Sequence, residues 1–170
     1  MLLPKRVTTL LVNNTPPLMS LARNLIPNIL ENHLVLYLVN HLAKEFIENG
    51  DLDFMEGKVA KVSISDIDVH WYFTKESASN SLKMVLPVNG KKITPDVVFS
   101  GNVNSMILMA SQKVDPDTLF FNRNLQVSGD TELGLEIKNL IDQFDLDLLH
   151  NPLKKALVTW SDHLLEFKHA

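Results

Sequence analysis

The groups able to do chemistry in this 170-residue chain are six histidines, its carboxylates and its serines, because it contains no cysteine. Without thiols there is no disulfide, no thiolate nucleophile and no Cys-ligated metal or iron–sulfur cluster. His33, His41, His70, His150, His163 and His169 form no HExxH and no close ligand pair with a third donor, so their spacing assigns no metal. His41 and Glu45 share one helical face, the usual setting of a solvated contact. Asp66, Asp68 and His70 are the residues an acid–base mechanism would use. At i, i+2 spacing the two carboxylates lie on one side of a strand, opposite Ile67, Val69 and Trp71, and a solvated pair is the plainer reading. Gly129 and Gly134 have the spacing of a phosphate loop in GDTELG, but Leu135 and Glu136 stand where Lys and Ser/Thr would meet a triphosphate. No GxSxG nucleophile elbow occurs. The expectation is a protein that is not an enzyme and needs no metal or cofactor.

What remains is apolar. With 45% hydrophobic and 21% charged residues, the composition is that of one globular domain with a core of adequate size. A net charge of −4 argues against nucleic-acid binding, which needs a positive face. The longest apolar run, residues 34–39, is far short of the ~20 residues a membrane span needs. The stretch around Lys5 and Arg6 lacks the apolar region and cleavage site of a secretory signal, so the expected location is cytoplasmic.

The elements that must position these groups follow from periodicity. Residues 1–17, ending in Pro16-Pro17, read as an extended arm, and residues 18–30 as a short helix interrupted near Pro27. A longer helix runs from Asn32 to Asn49 and ends at Gly50. Its first turns are apolar nearly all round, which suits either core packing or one side facing a cavity or a partner. Alternation marks strands at 60–64, 67–73, 82–86, 96–99 and 125–127. Asn102 caps a helix to Lys113, and Asp115-Pro116-Asp117 starts a turn or short helix. The cluster Leu119, Phe120 and Phe121 is too apolar to be left in water. Asp130 or Thr131 caps a helix over 131–144, whose Leu133, Ile137, Leu140, Ile141 and Phe144 share one face, and a last helix spans about 152–167. Gly134 permits close helix–sheet packing. The order is that of an α+β fold, a roughly five-stranded mixed sheet covered by helices.

The pieces DPDTLFF at 115–121, GDTELGL at 129–135 and KNL at 138–140 carry a family resemblance. They resemble the sterol carrier protein type two lipid-binding domain, and within it one bacterial branch, the accessory factors of oxygen-independent ubiquinone biosynthesis. The resemblance covers roughly 51–142. It implies a sterol-carrier-like domain over 31–170, preceded by an N-terminal helical arm over 1–30, with an apolar tunnel that holds a lipid. The candidate lining comprises Leu38, Leu42, Ile64, Trp71, Phe73 and Phe99, with Met106, Met109, Phe120, Leu133 and Ile137.

By the same resemblance the ligand is a polyprenyl phenol or quinone intermediate of ubiquinone synthesis. The protein would hold and present it to partners that include iron–sulfur hydroxylases. Two alternatives stand beside this reading: a general carrier of fatty acid, phospholipid or sterol-like lipids, and a ligand-free assembly scaffold. The arm, with Lys5, Arg6 and Arg23 among its leucines, could lie on an anionic membrane surface, making the protein peripheral to the inner membrane. Otherwise it packs on its own domain or in a homodimer.

Overall fold

The computed structural model describes residues 17, 28–77, 79–87 and 92–168. The extended arm, most of the 18–30 helix and the membrane contact expected of them lie outside the described residues. Helix α1 (Asn28–Leu42) opens the described fold, and α2 (Lys44–Asn49) continues it after a break at Ala43. Gly50, at φ 82°, ends α2 and donates back to Phe46 and Ile47 carbonyls, as its sequence position suggests. Strands β1 (Ala60–Ile64), β2 (Val69–Lys75), β3 (Leu82–Met84) and β4 (Val97–Gly101) follow. Then come α3 (Val103–Ala110), α4 (Pro116–Phe121), β5 (Leu125–Gly129), α5 (Thr131–Ile141) and α6 (Asn151–Lys168).

The strands form one mixed sheet in the order β3-β2-β1-β4-β5, with β1 and β4 parallel and every other pair antiparallel. This is the expected α+β sheet. The pairing sets three cross-sheet rows on the side covered by helices. One row is Phe73, Ala60 and Val97, the middle row is Trp71, Val62, Phe99 and Val127, and the third is Val69, Ile64, Gly101 and Leu125. The opposite side carries the alternate residues, among them Lys61, Ser63, His70, Tyr72, Gln126 and Ser128.

The caps are local and explicit. Asn102 Oδ1 accepts from the Ser105 amide at 2.8 Å, Asp115 from Asp117 at 2.6 Å, and Asp130 from Leu133 at 3.1 Å. At Gly129 the chain has φ 94°, and an added Cβ would sit 2.2 Å from the Asp96 carbonyl oxygen, so only glycine fits this turn. Gly134 brings α5 onto the sheet as expected, because a Cβ there would lie 2.7 Å from Val127 Cγ1.

Some expectations need correction. Residues 65–68 form the β1–β2 turn, with Asp68 at φ 53°, so Ile67 and both aspartates lie off the strand. The third strand stops at Met84. In the aromatic cluster Leu119 is buried at 1% exposure, but Phe120 is 46% and Phe121 79% exposed. The short α4 has one buried side, and Leu119 with Pro116 occupies it. The outer side of α1 is likewise open at Leu34 and Tyr37.

Candidate lipid-binding site

The histidine–carboxylate group comes together differently from its linear spacing. Asp66 accepts from the Val103 amide through both oxygens, at 3.0 and 3.2 Å, and so helps fix the start of α3. Asp68 Oδ1 meets His70 Nε2 at 3.1 Å, and His70 Nδ1 meets Ser63 Oγ at 3.0 Å. This is a serine–histidine–carboxylate chain, the connectivity of a nucleophilic triad. A nucleophile also needs donors aimed at a developing oxyanion. Ser63 lies mid-strand in β1, an interior strand whose amides are committed to ladders with β2 and β4. The chain therefore ties the β1–β2 hairpin together. Among the described residues no three His, Asp or Glu converge on a metal position.

The helix-covered side of the sheet holds something else. Its apolar packing divides into two clusters. One gathers Ala60, Val97 and Phe99 under Ala43, Ile47, Leu133 and Leu140 of the α1–α2 break, α2 and α5. The other gathers Ile64, Val69 and Leu125 under Val103, Met106 and Leu119 of α3 and α4. The outer rows of the sheet are buried, with Ala60 and Val97 on one flank and Val69, Ile64 and Leu125 on the other. Between them the middle row opens. Phe99 is buried, but Trp71, Val62 and Val127 are only half-buried although buried residues flank the first two along their strands. A close-packed layer has no reason to leave its central row more accessible than its outer rows. The pattern marks an apolar seam across the strands, accessible at Trp71, Val62 and Val127 and closed at Phe99.

Each end of the seam meets a cavity. At the β2 edge, a cavity of about 320 Å³ is lined by Val69, Trp71, Met84, Val85 and Leu86, with His70, Tyr72, Glu31 and Asn32 at its rim. It exists because β3 pairs only Phe73–Lys75, leaving the start of β2 without a neighbour on that side. At the β5 edge, a cavity of about 160 Å³ lies between α4, β5 and α5, with Pro116, Phe120, Leu125, Val127, Gly134 and Leu135 in its wall. An outer groove of about 460 Å³ shares Phe120, Leu125 and Val127 with it and adds Phe121 and Arg123.

The candidate residues distribute over these features. Trp71 lines the β2-edge cavity and Phe120 the β5-edge cavity. Phe99 and Leu133 are buried in the first cluster with Ile137 against it, while Ile64 and Met106 are buried in the second with Trp71 and Met109 against it. Phe73 is buried at one flank, and Leu38 and Leu42 are half-buried on α1.

Val62, Leu125, Val127 and Leu135 were not singled out as wall residues. The alternation of β5 opposite Gly134 is the signal that could have found Leu125 and Val127. Lys75 was also missed. It is 5% exposed on the helix-covered side, its Nζ held by Asp53 at 2.6 Å and Glu56 at 3.1 Å. The hydrogen bond to Asp53, with help from Glu56, keeps its ammonium above the ordinary lysine range despite the opposing effect of burial. Its position at 69, 71, 73, 75 in the apolar phase of β2 was the available clue.

Comparison with known proteins agrees with this architecture. Residues 39–142 match the model of the SCP-2 sterol transfer family. The chain is 34% identical over 152 residues to the ubiquinone biosynthesis accessory factor UbiT of Escherichia coli, covering 89% of this chain and 83% of that protein. The solved structure of a UbiJ-SCP2 ubiquinone synthesis protein superposes with a TM-score of 0.54 at 15% identity, covering 69% of this chain and 93% of that one. That likeness is one of fold.

Proposed function

Because this chain belongs to the SCP-2 sterol transfer family, we propose that it is a non-catalytic accessory protein of ubiquinone biosynthesis that holds polyprenyl phenol or quinone intermediates in its seam. It would present them to the oxygen-independent hydroxylating enzymes of the pathway. The observation that carries the reading is the half-open middle row, Trp71, Val62 and Val127, between two packed clusters and with an apolar cavity at each end. The similarity to UbiT supplies the pathway.

The magnitudes suit a holder. Four strands at ~4.8 Å spacing make the seam roughly 14 Å long. Burying about ten carbons of a chain contributes ~8 kcal/mol before association entropy, which makes micromolar the upper limit of the affinity from these carbons. Such a site retains a chain in water and releases it to an enzyme. A full polyprenyl tail is longer than the seam, so part of it leaves through an edge, consistent with a protein working in the cytoplasm at the surface of the inner membrane. Iron–sulfur chemistry would belong to the partners, since this chain offers no thiolate.

Mass spectrometry of organic extracts from gently purified protein, against a mock purification, tests the reading. Enrichment of polyprenyl phenols or quinones is the expected result. Phospholipid or fatty acid alone points to a general carrier, and an extract equal to the mock overturns the holder.

A further inference from the structure

The corner formed by α4 and the start of β5 presents a feature that holding a lipid does not require. Phe121 is 79% exposed and Phe120 46%, their rings edge to face with centroids 6.0 Å apart. Neither ring can be satisfied by water. Leu135 on α5, also exposed, lines the same cavity as Phe120. Arg123 follows directly, at φ 58°, a left-handed conformation that an arginine adopts at a cost. The turn that fixes it is closed by the Arg123 amide donating to Phe120 and the Asn124 amide to Leu119. Its guanidinium makes no ion pair among the described residues, although Asp115 and Asp117 stand at the opposite, N-terminal end of α4. Asp117 is instead taken by Lys138 at 2.8 Å.

We infer that this corner docks on a phospholipid bilayer, the phenylalanines inserting among acyl chains and Arg123 meeting a lipid phosphate. The structure argues for this occupant in two ways. The cation beside the aromatic pair makes no ion pair among the described residues, and aromatic rings beside a cation suit the boundary between headgroups and acyl chains. The corner is also continuous with the β5-edge cavity through Phe120, Leu125 and Val127. A prenyl chain could then pass from bilayer to seam along an apolar wall without crossing water. The inference rests on the holder reading for its purpose, but the docking stands or falls separately.

The test uses the full chain and phosphatidylcholine vesicles with and without phosphatidylglycerol. In Phe121→Trp, emission above the background of Trp71 and Trp160 shifts to the blue on adding vesicles, and brominated acyl chains quench it. Phe121→Ser lowers vesicle partition about tenfold, the loss expected for one aromatic ring. Arg123→Gly relieves the strained turn, so the protein stays folded while its preference for phosphatidylglycerol vesicles falls several-fold.

Emission from Trp at 121 that ignores vesicles, or Phe121→Ser partitioning like the parent chain, overturns the inference. A blue shift that follows protein concentration without vesicles overturns it in favour of a second copy as the occupant. Extracted lipid identifies which idea has failed. Polyprenyl phenols in the parent protein with a silent Phe121→Trp remove the docking alone. A vesicle-dependent shift with no bound lipid removes the holder alone.

Discussion

A seam that is open to a ligand must also tolerate bulk, and this separates Val62 from Val97. Both lie on the helix-covered side, on adjacent parallel strands, one row apart. Val97 is 0% exposed, and even the Cβ that Gly134 lacks would come within 3.3 Å of its Cγ2. Val97→Phe therefore overpacks a filled region and costs about 1–3 kcal/mol or more. Val62 is half-buried in the central row, against the second cluster, and a seam open to a ligand there accepts the larger ring, so Val62→Phe is expected to cost less than ~1 kcal/mol. In a domain of this size the difference appears as a gap of about 2–8 °C in Tm. The assay is urea and thermal unfolding of delipidated protein, because bound lipid would add stability of its own by mass action. Extracted lipid is measured in parallel, and Val62→Phe should carry several-fold less than the parent chain. Equal destabilisation by the two substitutions, with lipid loading unchanged in Val62→Phe, would refute the seam and leave a filled core.

Three further outcomes follow from the geometry. Gly129→Ala meets the Asp96 carbonyl oxygen at 2.2 Å as well as an unfavourable φ, whereas Gly57→Ala, at φ 68°, has nothing within 4 Å. Chemical denaturation should show a loss of about 3 kcal/mol or more for the first and about 1 kcal/mol for the second, and similar losses would discard the steric account. Lys75, its pKa raised in the fold, contributes stability that is complete below the unfolded lysine value and is lost as pH rises through the raised one. The urea midpoint of the parent chain should thus fall in the alkaline range above about pH 10, and Lys75→Met should flatten that slope; an unchanged slope rejects the assignment. Trp71 lines the β2-edge cavity, so a quinone taken into the seam should quench its emission saturably, and Val62→Phe should abolish the saturation. Linear, collisional quenching in both proteins would count against occupancy.

Much of the architecture was legible because the sequence obeys simple periods. Alternation found five strands, and Asn102, Asp115 and Asp130 announced their helices through side chains that do cap them. The departures share a cause. Apolarity says that Leu119, Phe120 and Phe121 are costly in water, but only packing of the six-residue α4 decides that Leu119 turns inward and its neighbours outward. Asp66 and Asp68 looked like one strand face, yet a hairpin turn separates their roles. Lys75 continued the inward phase of β2 and was passed over because a buried ammonium needs partners, and Asp53 and Glu56 are 22 and 19 residues away. The seam was least legible of all. Val62 and Ile64 are equivalent in any period-two reading, and whether helices close over one or both depends on how two clusters meet across the sheet.

The same alternation that hides the seam separates it from the chemistry the chain does possess. Ser63 follows Val62 in β1, so its hydroxyl and the Val62 side chain project to opposite sides of the sheet. His70 precedes Trp71 in β2 with the same consequence. The Ser63–His70–Asp68 chain thus lies across the backbone from the central part of the seam, and a ligand lying under Val62 would have a layer of paired peptide groups between it and the imidazole. For a ligand held there, the ring becomes accessible where it emerges at an edge cavity, and His70 stands at the rim of the β2-edge one. The arrangement favours a ligand whose long apolar part stays in the seam while its polar part is offered at an edge.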